Sequence, residues 1–330
     1  MTHRQFVLLG RKELAPIYGE REAEALVRGL LAGVAGLGVY DYIMYPYKEL
    51  NSAQLLCSAL QRLKGGEPLQ YILGYTTFCG FRFNVCKDVL IPRPETEYLV
   101  NLIAGRHTVS QGSVCNNRLP PQLKILDLCT GSGCIAWSLA YLIGGSMVWG
   151  CDISDAALAV ARGQEFGKEL GQDNEERIVG KQTSMRKDNC PFFFKVDLLA
   201  DEALGRIESA IGLGGAAAES VSGRGLDIMV SNPPYVLEEE RSLMRKNVLE
   251  HEPHLALFVA DDEPLLFYDK IVTLGAELLK VGGELWFEIN ERFANEVVSL
   301  MEGRGFTRCE AIDDLNGKKR FVRGVWRKNI

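Results

Sequence analysis

From Leu123 onward the chain alternates between short apolar runs and helical stretches, and this alternation constrains the fold more than any other feature. The runs fall at 123–128, 147–151, 192–196, 226–230 and 284–289. Strands separated in this way by helical segments predict a doubly wound α/β sheet. The last part of the chain, Thr307 to Arg327, reads as two further strands around "DDLNGKK", where Asn316-Gly317 favours a tight hairpin turn.

The chain before Leu123 has a different texture. Residues 1 to about 64 look helical. In "GEREAEALVRGLLAG", Ala23, Leu26, Val27, Leu30 and Leu31 recur at helical spacing behind an acidic start. "SAQLLCSALQRL" repeats the pattern with Leu55, Leu56, Ala59, Leu60 and Leu63, and "KGGEP" ends it. "TTFCGFRFNVCKDVL" then alternates as two short strands around Gly80. In "IPRPETEYLVNLIAG", Pro94 suits a first helical turn, and Glu95 and Glu97 suit the positive end of the helix dipole. Two segments, 171–190 and 212–225, are polar or rich in small residues and are expected to be mobile surface insertions.

Composition narrows the function classes. A length of 330 residues suggests two domains, and 47% hydrophobic residues are ample for a core. The net charge of −6 counts against a protein that grips duplex nucleic acid by its phosphates. The nine cysteines are odd in number and lack C-x-x-C spacing, which points to a reducing compartment and to no zinc framework. The N-terminus has no signal-peptide pattern, and no run approaches the ~18 apolar residues of a membrane span. A cytoplasmic protein without a membrane partner is expected, with a monomer as the default.

Two turns carry the chemistry. "ILDLCTGSGCIAWSLA" is a strand, a glycine turn and a helix, in which Gly131 and Gly133 let a ligand approach the helix start closely. Asp152 closes the next strand about 20 residues later, where a carboxylate can take both hydroxyls of a ribose. The turn also fits G-x-G-x-x-A, so a dinucleotide competes with other nucleoside cofactors at this point. Asp197, after the third run, suits either an adenine amino group or the cap of a following helix.

The second turn is "VSNPPYV", residues 230–236. It ends the fourth run and so faces the same crevice as the glycine turn. A rigid Asn-Pro-Pro turn explains the prolines but not the whole set. A planar conjugated amine is a poor nucleophile because its lone pair is delocalised. Two acceptors on its two N–H groups, the Asn232 side-chain oxygen and the Pro233 carbonyl, hold it and favour pyramidalisation. Pro233 and Pro234 fix the backbone, and the Tyr235 ring can pack on the flat group. The electrophile would be a methyl sulfonium, which needs orientation more than acid–base help. Together the two turns indicate N-methylation dependent on S-adenosylmethionine (SAM).

The stretches "GEPLQYILGYTTFCGFRFNV", "VLIPRPETEYLV", "LDLCTGSGCIA", "VSNPPYV", "EHEPHLALFVADD" and "GKKRFVRG" resemble the HemK/PrmC family of peptide-chain release-factor glutamine methyltransferases. The similarity runs from the mid-sixties nearly to the C-terminus. It implies an α/β fold: a seven-stranded Rossmann-like SAM-dependent methyltransferase domain at 93–330, preceded by a small helical substrate-recognition domain at 1–74 and a β-hairpin linker at 75–92. It implies SAM as cofactor, held by Cys129, Thr130, Gly131, Ser132, Gly133, Asp152, Ile153, Asp197, Leu198 and Asn232. Asn232, Pro233, Pro234 and Tyr235 would bind the substrate, the glutamine of a Gly-Gly-Gln loop in release factors, and the Arg93–Glu95 stretch would lie near both. The chain departs from the family pattern at Cys129, where many relatives have glycine, at Asn290 in "FEIN", and in the insertion before Pro191.

His251 and His254 invite a metal reading, but Pro253 between them interrupts a helical face and no third ligand cluster is apparent. Arg241, Arg245 and Lys246 form either a solvated face or a surface for an acidic or RNA-associated partner. The same chemistry on a ribosomal-protein glutamine or on adenine N6 remains an alternative, as does a noncatalytic SAM-binding module. The acidic balance and the missing phosphate-gripping surface disfavour nucleic acid. A noncatalytic module has no chemical need for Asn232.

Overall fold

The computed structural model describes residues 1–108, 122–165, 190–213 and 225–327. The segments expected to be insertions, 171–190 and 212–225, fall largely outside the described residues. The chain divides into two compact units. One comprises Met1–Thr76, Val85–Lys87 and Leu243–Glu252, and the other comprises Thr77–Asn84, Asp88–Ser242 and Pro253–Ile330.

The first unit is helical: α1 (His3–Tyr18), α2 (Glu20–Ala35), α3 (Val39–Met44), α4 (Ala53–Lys64) and α5 (Leu69–Leu73). Thr2 starts α1 with a capping box, its hydroxyl accepting from the Gln5 N–H while the Gln5 side chain accepts from the Thr2 N–H. The core joins Phe6 and Leu14 of α1, Val27, Leu30 and Leu31 of α2, and Leu56, Leu60 and Leu63 of α4. Leu55 falls at the edge of the α4 stripe and is exposed. The hairpin of β1 (Tyr75–Phe78) and β2 (Phe81–Asn84) turns through Cys79 and Gly80, with φ of 49° and 78°. Positive φ at both turn residues matches the twist of the flanking strands.

The remaining elements run in order α6 (Pro94–His107), β3 (Lys124–Leu128), α7 (Cys134–Leu142), β4 (Met147–Asp152), α8 (Asp155–Arg162), β5 (Phe192–Lys195), α9 (Ala203–Ile211), β6 (Leu226–Ser231), β7 (Val236–Leu237), α10 (Lys246–His251), β8 (Phe258–Val259), α11 (Leu266–Leu278), β9 (Leu279–Glu288), α12 (Ala294–Gly303), β10 (Phe306–Asp313) and β11 (Lys319–Trp326). Of these, α10 belongs to the first unit. The seven-stranded sheet has the order β10-β11-β9-β6-β3-β4-β5. β11 runs antiparallel to both its neighbours, β10 and β9, and the other described pairs of this sheet are parallel. The strand expected at 284–289 begins earlier, at Leu279, because Leu226 pairs with Leu279 before a register shift.

Burial on both faces explains why these strands read as continuous apolar runs. Successive side chains sort by the period of two. Leu126, Met229, Leu285 and Phe287 enter one core, while Ile125, Ile228, Val230 and Trp286 enter the other. The chain winds from β3 toward β5 on one side and from β6 toward β9 on the other. The β3–β6 boundary is therefore the switch point where a crevice opens beyond the strand ends.

Candidate active site

Register places the site. Leu128 pairs with Cys151 on one side and Ser231 on the other, and Ser231 pairs with Phe287. The next residue on each chain, Asp152, Cys129, Asn232 and Glu288, therefore stands in one row at the carboxyl edge. Ser231 pins that edge with its hydroxyl, which donates to the Leu128 carbonyl at 2.8 Å.

The glycine turn is held from both sides. Cys129 and Gly131 have φ of 58° and 54°, left-handed values that glycine adopts freely and cysteine adopts at a cost of about 1 kcal/mol or more. Thr130 donates its N–H to the Cys151 carbonyl at 2.9 Å and its hydroxyl to Asp127 Oδ2 at 2.5 Å. Asp152 Oδ2 accepts from the Gly131 N–H and Oδ1 from the Ser154 N–H, both at 2.9 Å. A Cβ on Gly133 would lie 3.1 Å from Ala161, Phe193 and Trp137, so glycine there permits close packing of α7 against its neighbours.

A cavity of about 250 Å³ opens above this edge. Of the expected cofactor residues, Cys129, Thr130, Gly131, Ser132, Asp152, Ile153, Asp197, Leu198 and Asn232 line it, as does Pro234. Gly133, Pro233 and Tyr235 stand outside the lining, and from the "RPETE" stretch Arg93 and Thr96 contribute to it. The turn and Asp152 fit a nucleoside. Each Asp152 oxygen already takes one backbone N–H and keeps a second lone pair for a ribose hydroxyl.

Asp197 does not cap a helix. Its Oδ1 accepts from the Leu199 N–H at 3.0 Å in a local turn, and α9 starts only at Ala203 behind Glu202.

Behind the cavity lies a polar network. Asn232 Nδ2 donates to Thr96 Oγ1 at 3.2 Å, Thr96 Oγ1 donates to Glu288 Oε2 at 2.7 Å, and the Tyr235 hydroxyl donates to Glu288 Oε1 at 3.0 Å. Asn290 donates to the Tyr235 carbonyl at 3.3 Å and to Glu240 at 2.9 Å. Burial raises the carboxyls of Glu288 and Asp152, against the hydrogen bonds each accepts. Asp127, wholly buried, is pushed up to about 7 by the same desolvation despite the Thr130 hydrogen bond. Burial also pushes the Cys129 thiol up, which makes it a poor nucleophile.

Sequence reading passed over Thr96, Asp127 and Glu288. The available signal was an acid inside an apolar run, Asp127 in "ILDL" and Glu288 in "LWFE", because buried carboxylates occur only where partners meet them.

The basic residues after the Asn-Pro-Pro turn pair with nearby acids. Arg241 meets Glu238 at 3.2 Å and lies over the Phe258 ring, Arg245 meets Glu22 of the first unit at 3.0 Å, and Lys246 meets Glu250 at 3.5 Å. Among the described residues no group of three metal-ligating side chains forms, no disulfide joins the free cysteines, and no helix is long and apolar enough to cross a membrane.

Residues 8–74 match the family model described as the PrmC N-terminal domain. A release factor glutamine methyltransferase of Bacteroides thetaiotaomicron is 36% identical over 314 residues, which cover 94% of this chain and 96% of that protein. One of Flavobacterium psychrophilum is 37% identical over 312 residues, covering 94% of each. One of Chlorobaculum tepidum is 33% identical over 298 residues, covering 90% of this chain and 87% of its own.

Proposed function

Because the chain belongs to the release factor glutamine methyltransferase family, we propose that it transfers a methyl group from SAM to the side-chain amide nitrogen, N5, of the glutamine in the Gly-Gly-Gln motif of peptide-chain release factors. One observation carries the reading. Asn232 lines the same cavity as Asp152 and residues Cys129 to Ser132 of the glycine turn, and its amide nitrogen is already engaged by Thr96.

When bound, SAM supplies a methyl group on a positively charged sulfur. The turn and Asp152 hold its nucleoside, with Ile153, Asp197 and Leu198 along the same wall. Asn232 Oδ1 and the Pro233 carbonyl accept the two N–H groups of the glutamine amide. This draws the nitrogen out of conjugation and aims its lone pair along the line of transfer. Pro234 stiffens the backbone at that point, and Tyr235, with its hydroxyl tied to Glu288, packs its ring against the flat amide. No side chain is assigned as a general base, since the alkylated nitrogen is itself acidic and releases its proton after transfer. The low-dielectric cavity strengthens each of these polar contacts.

The test is transfer of labelled methyl from SAM to purified release factor, beside a glutamine-to-alanine change in its Gly-Gly-Gln loop, with mass mapping of the product. Label on that glutamine and none on the variant is expected. Asn232→Ala should keep SAM binding and lose most turnover. Label on a ribosomal-protein glutamine in place of release factor would refute the substrate assignment.

A further inference from the structure

An asparagine amide is nearly symmetric in shape, with an oxygen at one end and an NH2 group at the other. A rotation of 180° exchanges an acceptor for a donor at almost no steric cost. Asn232 works as an acceptor for the substrate amide only in one of those two orientations. In the other it presents N–H to N–H and repels the group it should hold. What decides the orientation is a pair of side chains linked to it by hydrogen bonds, Thr96 and Glu288.

Thr96 and Glu288 are 3% and 1% exposed. Glu288, when ionised, has only acceptors. Its Oε2 takes the single proton of the Thr96 hydroxyl at 2.7 Å, and its Oε1 takes that of Tyr235 at 3.0 Å. The Thr96 oxygen, its proton committed, can only accept from its other neighbour. That neighbour is the Asn232 amide at 3.2 Å, so the end facing Thr96 must be the NH2 group. The oxygen is the other end of that amide, on a residue that lines the cavity, and among the described residues no hydrogen bond to it is found.

We infer that Thr96 and Glu288 are positioning residues that lock the polarity of the Asn232 amide, so that its oxygen and not its nitrogen meets the substrate amide. The inference rests on the methyl-transfer reading above. A network that served packing alone would be satisfied more cheaply by apolar side chains of similar size, since a buried carboxylate must be compensated by several donors. Here the two donors are the hydroxyls of Tyr235, in the Asn232–Tyr235 turn, and of Thr96, which itself accepts from Asn232. The same carboxylate that sets the Asn232 amide also tethers the Tyr235 ring. Register explains how residues so distant in sequence meet. Glu288 follows Phe287, which pairs with Ser231, so the carboxylate stands beside Asn232, while Thr96 reaches the pair from the first turn of α6.

The experiment compares Thr96→Val, Thr96→Ser and Glu288→Gln with wild type in methyl transfer to release factor. It measures kcat and KM for release factor, SAM affinity by calorimetry, and thermal stability of each protein. Thr96→Val keeps shape but removes both the acceptor and the donor. It should lower kcat roughly ten-fold or more, because a misdirected amide costs effective molarity at the reacting nitrogen. KM for release factor and SAM affinity should stay within about three-fold of wild type, the pattern of an interaction expressed at the transfer step. Thr96→Ser restores the hydroxyl and should recover turnover to within about three-fold. In Glu288→Gln the new NH2 group can donate to Thr96 and release the threonine proton toward Asn232, so turnover falls again with SAM affinity retained. Should Thr96→Val fail to fold, Glu288→Gln and Thr96→Ser carry the same comparison. Wild-type kcat in both Thr96→Val and Glu288→Gln would overturn the inference, as would a Thr96→Ser loss equal to that of Thr96→Val. Failure of the wild-type enzyme to label release factor would instead overturn the methyl-transfer reading, so the two failures are distinct.

Discussion

The Glu284 carboxylate gives the second unit a stability that depends on pH in a calculable way. Glu284 accepts from His107 at 3.2 Å and from the Trp286 indole at 2.9 Å, and it pairs closely with Arg323. Arg323 also holds Glu310 at 3.1 Å and lies over the Trp286 ring. Burial alone would raise this carboxyl. The hydrogen bonds from His107, Arg323 and Trp286 and the Arg323 charge outweigh it and bring the pKa from 4.5 to about 2. At about 1.4 kcal/mol per pH unit, that drop corresponds to roughly 3 kcal/mol, which solvent on the open side of the pair reduces to about 2 kcal/mol. A carboxyl depressed in the folded state contributes fully above its unfolded value and loses its contribution as pH falls through the folded one. The window therefore runs from 4.5 down to about 2. Urea unfolding of wild type and Glu284→Gln, followed by tryptophan fluorescence, tests this, since all four tryptophans lie in the second unit. Wild type should be the more stable by about 2 kcal/mol at pH 7, and the gap should shrink by more than half by about pH 3. Asp127, Asp152 and Glu288 are raised by burial and act with the opposite sign, but they are common to both proteins and cancel. An equal gap at both pH values would refute the charge-based account.

Other outcomes can be measured directly. Asp152→Ala removes the acceptor for the Gly131 and Ser154 N–H groups and for a ribose, so SAM affinity by calorimetry should weaken roughly ten-fold or more; unchanged affinity would remove Asp152 from the site. Gly150→Ala would set a Cβ 2.6 Å from the Phe193 ring and 2.8 Å from Thr130 Oγ1. It should cost about 1–3 kcal/mol by chemical denaturation and disturb the glycine turn, and a neutral result would mean the Phe193 ring yields freely. Among the described cysteines, Cys190 is exposed, whereas the thiols of Cys129 and Cys151 are raised by burial. A thiol reagent at mildly alkaline pH should therefore modify Cys190 well before either, as read by peptide mapping, and early modification of Cys129 would contradict its burial.

Local patterns predicted the elements because their causes are local. Pro94 opens α6, Asn316-Gly317 turns the last hairpin, and the apolar runs at 123–128 and 226–230 become β3 and β6 because a buried parallel strand needs apolar side chains on both faces. The glycine turn and Asn232 were legible for the same reason, since positive φ and a rigid Asn-Pro-Pro turn are written in residue types. Of the two readings open for Asp197, the place at the cavity holds and the helix cap does not, because an aspartate that caps a turn looks the same in sequence as one that caps a helix. Thr96 and Glu288 stayed hidden for a different reason. They are 192 positions apart, and neither has a purpose until the β6–β9 register sets Glu288 beside Asn232 and α6 sets Thr96 between them. By itself the sequence determined the alternating elements, the glycine turn and the Asn-Pro-Pro turn that end two neighbouring strands. Tertiary structure alone decided which way the Asn232 amide points, because its orientation is set by protons shared between chain segments that only the folded sheet brings together.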